Sequence, residues 1–523
     1  MLVLPERKAL VLRVREPKQI LTLIPTAKQV EVNGVPLVAV PHRLDEARVL
    51  SNIGIKAPSP IRYFYDWPGL FKPFSAQIDT AEFLTMNPRA YVLSEMGTGK
   101  SMSSLWAYDY LRKIGVVKRA LITCPFSTME RTWADEVFNH FPHLRAAVIY
   151  GAASRRRELI ADRSFDLYIV NHDGLKIITP DLAARDDIDL FIIDEISKVA
   201  RNASTERWKL INTIANQQVN GRRMVWGLTG TPTPNAPTDA WAQCRIVTPS
   251  TVPKYFGRFR DAVMRQAGPY SWLPKPDAMK IVQDAMRPAI RFSRKDCVDL
   301  PETIYETRHV CLTPVQNKAY TEMLKKLAFE VASGQVTAVN EAIKVSKLIQ
   351  IACGVAYDTA RNEVILDATP RLDEVADIVE SAEGKVLVFV PFVSAIMKVV
   401  AHLQEKGVTV GFVHGGVSKT ERDDLFRRFQ QEADPRVLVA QPMSMSHGLT
   451  LVAANTVVWY APIFSNDVYE QACARVTRPG QTKTTHIIHL EGTPAERAAY
   501  KRLSTRQKMQ GILLTLVEEN RSK

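Results

Sequence analysis

Cysteine is scarce in this 523-residue chain. The six cysteines (Cys124, Cys244, Cys297, Cys311, Cys353 and Cys473) are scattered singly, with no C-x-x-C pair. That pattern excludes a zinc ribbon or a disulfide framework and fits a reducing, cytoplasmic setting. Long hydrophobic runs are also missing. The longest near-apolar stretches, such as Thr456–Phe464, are about half of the ~20 residues a membrane-spanning helix needs. Met1-Leu2-Val3-Leu4-Pro5 gives way at once to Glu6-Arg7-Lys8, which is too short an apolar run for a secretory signal. The ten histidines show no metal-ligand spacing, and no short-period repeat or low-complexity segment is present. Acidic charge is in deficit: 55 Asp and Glu face 68 Lys and Arg, a net charge of +13. A balance of that sign points to a polyanionic partner.

What remains is an ordinary globular composition, 46% hydrophobic and 24% charged. A chain of this length exceeds what one hydrophobic core supports, so several domains are expected. Val30–Val38 reads as strand, Asn33-Gly34 turn, strand, with a short helix after it near 43–53. Pro58, Pro60 and Pro68 mark a linker. From about residue 70, short apolar runs alternate with helical stretches: Tyr91-Val92-Leu93, Ala120-Leu121-Ile122, Leu167–Val170, Leu190–Ile193 and Met224-Val225-Trp226. Such runs are buried parallel strands of an α/β domain. The rhythm lapses at about 240–365, where the chain looks helical, and resumes with Val386–Val390, Val410–Val413, Val437–Val439, Val457–Tyr460 and Ile487–Leu490. The expected domains are therefore a small β-rich piece (1–65), an α/β lobe (66–245), a helical connector (246–365) and a second α/β lobe (366–523).

Within the first lobe, Leu93-Ser94-Glu95-Met96-Gly97-Thr98-Gly99-Lys100-Ser101 follows a strand and opens a helix. A phosphate loop has that context and the pattern G-x-x-x-x-G-K-[ST]; here Ser94 stands where the first glycine belongs. Backbone N–H groups of such a loop cradle phosphates, a lysine at the Lys100 position reaches the outer ones, and a hydroxyl at the Ser101 position ligates magnesium. About 95 residues on, Ile192-Ile193-Asp194-Glu195 ends an apolar strand with two carboxylates. In this class of site Asp194 would hold Mg²⁺, directly or through water, and Glu195 would orient and deprotonate the attacking water. Gly227-Leu228-Thr229-Gly230-Thr231-Pro232 follows another strand. In the second lobe, Gln471, Arg475 and Arg478 are spaced to share one helix face, from which arginines can reach a γ-phosphate.

Taken in order, these pieces resemble the superfamily-two helicases, specifically the Swi/Snf-like DNA translocase ATPases, over about residues 70–495. Phe74-Ser75-Ala76-Gln77 resembles the adenine-reading motif, with Gln77 as reader, and Ser94–Ser101 is similar to motif I, where this family relaxes the first glycine. Thr123-Cys124-Pro125, with Trp133 downstream, resembles motif Ia. Ile169-Val170-Asn171-His172 resembles Ib, and Leu228–Asn235 motif III. Arg294–Pro301 and Leu312–Gln316 are similar to the family's connector signatures. Lys385–Phe392 resembles motif IV, His447-Gly448-Leu449-Thr450-Leu451 motif V, and Gln471–Gln481, with its closing R-x-G-Q, motif VI. One departure is Ile196-Ser197, where the family commonly has Ala-His after the paired carboxylates; it leaves the coupling of that pair to motif III open.

The resemblance implies two RecA-like parallel-sheet lobes and a DNA-dependent ATPase with ATP and Mg²⁺ as cofactors. ATP would be held by Gln77, Met96, Gly97, Thr98, Gly99, Lys100, Ser101 and Gln471. Catalysis would fall to Lys100, Asp194, Glu195, Arg475 and Arg478, with Ser101 and Asp194 on the metal. Pro125, Asn171, His447 and Gly448 would touch DNA, chiefly through phosphates, which carry no sequence information. The implied partner is duplex DNA, forked or branched DNA included, together with replication or recombination proteins. A monomer in a bacterial or phage-infected cytoplasm is expected, because the compact form looks most like phage and bacterial members. Three other readings stay open: the motor subunit of a restriction or repair nuclease, an ATP-gated DNA clamp or scaffold without movement, and an RNA helicase. Arg155-Arg156-Arg157 is either a phosphate contact or a solvated loop. The basic middle, with Arg258, Arg260, Arg265, Arg287, Arg291, Arg294 and Lys295, favours DNA contact.

Overall fold

The computed structural model describes the chain except residues 33–34, 218–222, 269–270, 294–296, 298–300, 333–337, 358–362, 446–449, 479 and 506–523. The fold divides into two compact units, Met1–Val298 and Asp299–Lys523.

The first unit opens with four antiparallel strands, β1 (Leu2–Leu4), β2 (Ala9–Leu12), β3 (Lys28–Val32) and β4 (Val35–Pro41), in the order β1-β2-β4-β3. Val32 pairs with Val35, as a two-residue turn at Asn33-Gly34 demands, although those two residues lie outside the described ones. Leu10, Leu12, Val38 and Val40 alternate onto one face and form a small core with Ile20, Ile24, Ala47 and Leu50. Arg48 donates to the Thr85 carbonyl at 2.6 Å, and Ser59 shares a 2.7 Å hydrogen bond with the Thr85 hydroxyl, so this piece is tied to the helix Ser75–Met86.

Next comes a seven-stranded sheet of β5 (Arg89–Val92), β6 (Arg119–Cys124), β7 (Ala146–Ile149), β8 (Leu167–Asn171), β9 (Ile188–Asp194), β10 (Met224–Leu228) and β13 (Ala289–Ile290). Their order is β13-β5-β10-β9-β6-β8-β7 and every pairing is parallel. Successive residues face opposite sides of a sheet. Phe191 and Ile193 accordingly join one core with Tyr91, Tyr168 and Val225, while Leu190 and Ile192 join another with Val92, Trp106 and Trp226. Burial on both faces is why these strands read as unbroken apolar runs. A hairpin of β11 (Met264–Gly268) and β12 (Ser271–Pro274) precedes β13.

The second unit holds six parallel strands: β14 (Thr303–His309), β17 (Lys385–Phe389), β18 (Val410–Val413), β19 (Val437–Ala440), β20 (Ala454–Trp459) and β21 (Thr485–Glu491). Their order is β14-β21-β20-β17-β19-β18. A hairpin of β15 (Val355–Tyr357) and β16 (Glu363–Ile365) lies between β14 and β17 in the chain. The fold is therefore α/β, with two RecA-like parallel-sheet lobes. The stretch 246–365, which reads as helical in the sequence, carries the helices Pro314–Ala332 and Ala338–Ala352 but also lends β13 to the first sheet and β14 to the second. Part of the Arg294–Pro301 signature lies outside the described residues. No helix among the described residues is long and apolar enough to cross a membrane.

Candidate functional site

All strands of the first sheet run parallel, so their C-terminal ends share one edge, where ligands of open α/β sheets bind. After β5 the chain turns through the glycine loop into the helix Lys100–Lys113. Gly97 and Gly99 have φ of +80° and +76°, a left-handed conformation that disfavours any side chain. A Cβ on Gly99 would also stand 2.1 Å from Nε2 of Gln77. Ser94 is not among the positive-φ residues. Its buried hydroxyl accepts the backbone N–H of Phe292 at 3.0 Å, just beyond β13. The missing first glycine is thus a position where a serine fits and makes a bond.

Lys100 donates from Nζ to the carbonyls of Ser94 and Glu95, both at 2.9 Å. Thr98 is buried and donates to the Glu95 carbonyl. Gln77 is buried in the first turn of its helix, where its side-chain oxygen accepts the Phe74 N–H at 3.2 Å. Met96 lies against Gly230, the nearest backbone to a Cβ built there being the Met96 nitrogen. The structure thus gathers Gln77, Met96, Thr98, Gly99 and Lys100 around one loop, with Ser101 following in the helix.

Asp194 ends β9 and is buried; Glu195 follows it with φ +51°, one of three non-glycine residues with positive φ among those described. Strain of this kind, about 1–3 kcal/mol, is held where the surroundings over-determine it. Burial, and then the Glu195 carboxylate beside it, push the Asp194 carboxyl up to about 6, while Trp133 and Lys100 pull it the other way. Lys100 is therefore close enough to act on Asp194. Trp133, wholly buried, donates from Nε1 to Oδ2 of Asp194 at 3.1 Å. It sits in a π-helical turn, Met129–Ala134, a local widening common at functional sites. The sequence reading placed Trp133 only as a companion of motif Ia; an indole carries no sign of its partner across 61 residues.

Ser197, in the Ile-Ser departure, makes a direct bond to the loop after β10. Its hydroxyl shares a 2.8 Å hydrogen bond with that of Thr229, and both are buried. Thr229 in turn donates its N–H to the Val92 carbonyl at 3.0 Å, next to the glycine loop. Hydrogen bonds thus join the turn just after the paired carboxylates to the loop after β10, and that loop to the end of β5, from which the glycine loop departs. On the same edge, Pro125 follows β6 and Asn171 ends β8. His172 shares a 3.0 Å hydrogen bond with Thr123, and burial pushes its imidazole down to about 3.

In the second unit the helix Asn466–Cys473 carries Gln471, which is buried, but it stops before Arg475 and Arg478. The expectation that all three share one helix face is corrected: both arginines lie in the turns after the helix. Arg475 is buried. Arg478 donates to the Ala474 carbonyl at 2.9 Å and to the Thr450 hydroxyl at 3.3 Å. Gly480 has φ +98°. Gln481 donates to the carbonyls of Ala454, Val452 and Val476 and accepts the N–H groups of Thr482 and Lys483. The closing glutamine of R-x-G-Q is a structural clamp on this turn. His447 and Gly448 lie outside the described residues, as does Pro479. Among the described residues, no cluster of three or more His, Cys, Asp or Glu is arranged to hold a metal.

The SNF2-related domain matches residues 84–354, and the helicase conserved C-terminal domain residues 370–480. A Xenopus tropicalis protein, SWI/SNF-related matrix-associated actin-dependent regulator of chromatin subfamily A-like protein 1, is 27% identical over 411 residues, 77% of this chain and 40% of that protein. The chain thus spans well under half the length of that relative. Putative protein p41 of Acyrthosiphon pisum secondary endosymbiont phage 1 is 24% identical over 82% of this chain and 94% of its own length. Among solved structures, the Sulfolobus solfataricus SWI2/SNF2 ATPase core in complex with dsDNA matches with a TM-score of 0.41 and 22% identity, covering 84% of this chain and 92% of that one. The SNF2-related match alone takes in more than half of the sequence, and the chain belongs to the SNF2-related family of helicase-type ATPases.

Proposed function

We propose that this chain hydrolyses ATP to move along duplex DNA and so remodels replication, recombination or repair structures. The observation that supports the reading is that the glycine loop with Lys100, Asp194-Glu195 and Thr229 follow parallel strands β5, β9 and β10 at one sheet edge, with Lys100 acting on Asp194.

In this reading the loop N–H groups and Lys100 receive the phosphates, Lys100 exchanging its bonds to Ser94 and Glu95 for phosphate oxygens. Glu195 orients the attacking water and takes its proton. Ser101 and Asp194 are hard oxygen donors of the kind magnesium takes. The two adjacent carboxylates concentrate negative charge beside Lys100, which also suits a divalent cation. When bound, that ion offsets phosphate charge during transfer. Arg475 and Arg478 act on the γ-phosphate, Gln471 assists nucleotide binding, and Gln77 reads the adenine. Pro125 and Asn171 contact DNA phosphates in this reading, and the resemblance of motif V assigns the same role to His447 and Gly448. The net charge of +13 supports a nucleic-acid track.

The test is steady-state ATP hydrolysis without nucleic acid and with duplex DNA, single-stranded DNA or RNA, at several salt concentrations, for wild type and Glu195→Gln. Stimulation by duplex DNA is expected, falling steeply with salt at a log–log slope of about −0.9 per neutralised phosphate. It is lost in Glu195→Gln. Hydrolysis indifferent to DNA would leave an ATP-gated clamp as the better reading.

A further inference from the structure

The same edge of the first sheet carries a surface that ATP hydrolysis does not use. Phe126, directly after Pro125, and Tyr150, directly after β7, are 53% and 52% exposed. Strands β6 and β7 are not neighbours, since β8 lies between them. The two rings nevertheless meet above the end of β8, with centroids 5.3 Å apart and planes at 46°. The guanidinium of Arg156 lies 5.7 Å from the Tyr150 ring centre and is fixed by an Nε bond to the Gly151 carbonyl at 2.8 Å. Arg155 and Arg157 flank it, each more than half exposed. Two large rings half in water, at a turn where small polar residues would serve the fold, lose apolar burial for no structural return. Arg155 and Arg156 also fall in the first turn of the helix Ala153–Ala161, which has no acidic residue there. Basic side chains at that end oppose the helix dipole. The local sequence is therefore unfavourable both for burial and for the helix.

These features fit one kind of ligand. Flat aromatic faces beside arginines bind unpaired bases through stacking, with the phosphates held by the cations. Paired bases in an intact duplex hide their faces, so the surface discriminates strand from duplex. We propose that Phe126, Tyr150 and Arg156 form a stacking platform for unpaired nucleotides, placed next to the motif Ia and Ib positions Pro125 and Asn171. The platform gives a duplex-tracking motor a preference for DNA with single-stranded gaps or tails. This inference rests on the proposed DNA-dependent activity.

The test compares three DNA probes of equal length at fixed salt: a single strand of oligo(dT), a blunt duplex, and a duplex carrying a single-stranded tail with 2-aminopurine in the tail. Wild type, Phe126→Ala/Tyr150→Ala, Phe126→Trp/Tyr150→Phe and Arg156→Ala are measured for binding and for ATP hydrolysis. The alanine pair is expected to weaken binding to the single strand and the tail by about tenfold or more, to abolish 2-aminopurine quenching, and to leave blunt-duplex stimulation within about twofold. The aromatic-for-aromatic pair restores tail binding. Arg156→Ala weakens tail binding and lowers its salt dependence. Equal loss on duplex and single strand would overturn the proposal, as would unchanged binding by the alanine pair, which would mark the face as a protein-docking surface. If wild type binds none of the probes, the DNA-dependent reading itself fails, a result distinct from either.

Discussion

Ser94 shows how a departure from a motif is read at the level of one residue. Glycine is required in such a loop only where φ is positive or the space for a Cβ is absent, and both conditions hold at Gly99, not at position 94. Restoring the common residue with Ser94→Gly removes the hydroxyl that accepts the Phe292 N–H. It also adds backbone freedom to the unfolded chain. The expected cost is about 1–3 kcal/mol of stability, with no gain in kcat/KM for ATP. Thermal unfolding beside steady-state kinetics reads both, and a variant as stable as wild type would contradict the argument. Gly99→Ala is expected to do the opposite of a silent change. The added methyl drives Gln77 out of place, and nucleotide binding is lost by equilibrium titration. Ser197 and Thr229 make a third case. Ser197→Ala and Thr229→Val each leave one buried hydroxyl without the other. A double-mutant cycle on kcat should show coupling of about 0.5–1.5 kcal/mol; additive effects would mean that the bond does not link carboxylates to loop.

At the level of elements, the π-helical turn Met129–Ala134 matters because it delivers Trp133 to Asp194. Trp133→Phe keeps an aromatic ring in the buried site and removes the donor together with part of the indole's bulk, so stability is measured beside activity. Partners that orient a metal-binding carboxylate are worth about 10–100-fold in activity or metal affinity. Hydrolysis by this variant should fall by that order and recover in part as magnesium is raised; a magnesium titration indistinguishable from wild type would make Trp133 a packing residue only. The same scale shows what could be read without a structure. The central strands β5, β6, β8, β9 and β10 stand out because two-sided burial leaves apolar runs. The glycine loop and Asp194-Glu195 stand out because phosphate chemistry restricts residue type at short spacing. Strands β7, β13 and β14 do not stand out. Each lies at a sheet edge, where one-sided burial permits sequences such as Thr303-Ile304-Tyr305-Glu306-Thr307-Arg308-His309. The shared helix face of Gln471, Arg475 and Arg478 was a spacing argument, and spacing does not reveal that the helix stops at Cys473. Gln481 enters the sequence reading only as the close of R-x-G-Q, and its five backbone bonds show that it holds the turn together.

At the level of the whole molecule, each unit buries a histidine in a neutral state. In the first unit burial pushes His172 down to about 3. In the second, burial pushes His489 down to about 4, where its ring stacks on Tyr500 at 4.3 Å and bonds the Tyr469 hydroxyl at 2.8 Å. Both folded values lie below the ordinary value of 6.5. On acidification the unfolded chain takes up these protons first. The stability is therefore whole above pH 6.5 and is lost progressively as pH falls toward 4 for His489 and toward 3 for His172. At pH 5 the loss is up to about 2 kcal/mol for each histidine, since one pH unit corresponds to about 1.4 kcal/mol. Against a typical total of about 5–15 kcal/mol this is a large share, and it falls on both units together. Denaturant unfolding at pH 7.5 and pH 5 should show the fall, and His172→Asn and His489→Gln should each remove part of the difference, burial lowering His42 and His140 as well, while costing stability at pH 7.5. Wild-type curves that superimpose at the two pH values would show that neither imidazole is held neutral by its burial.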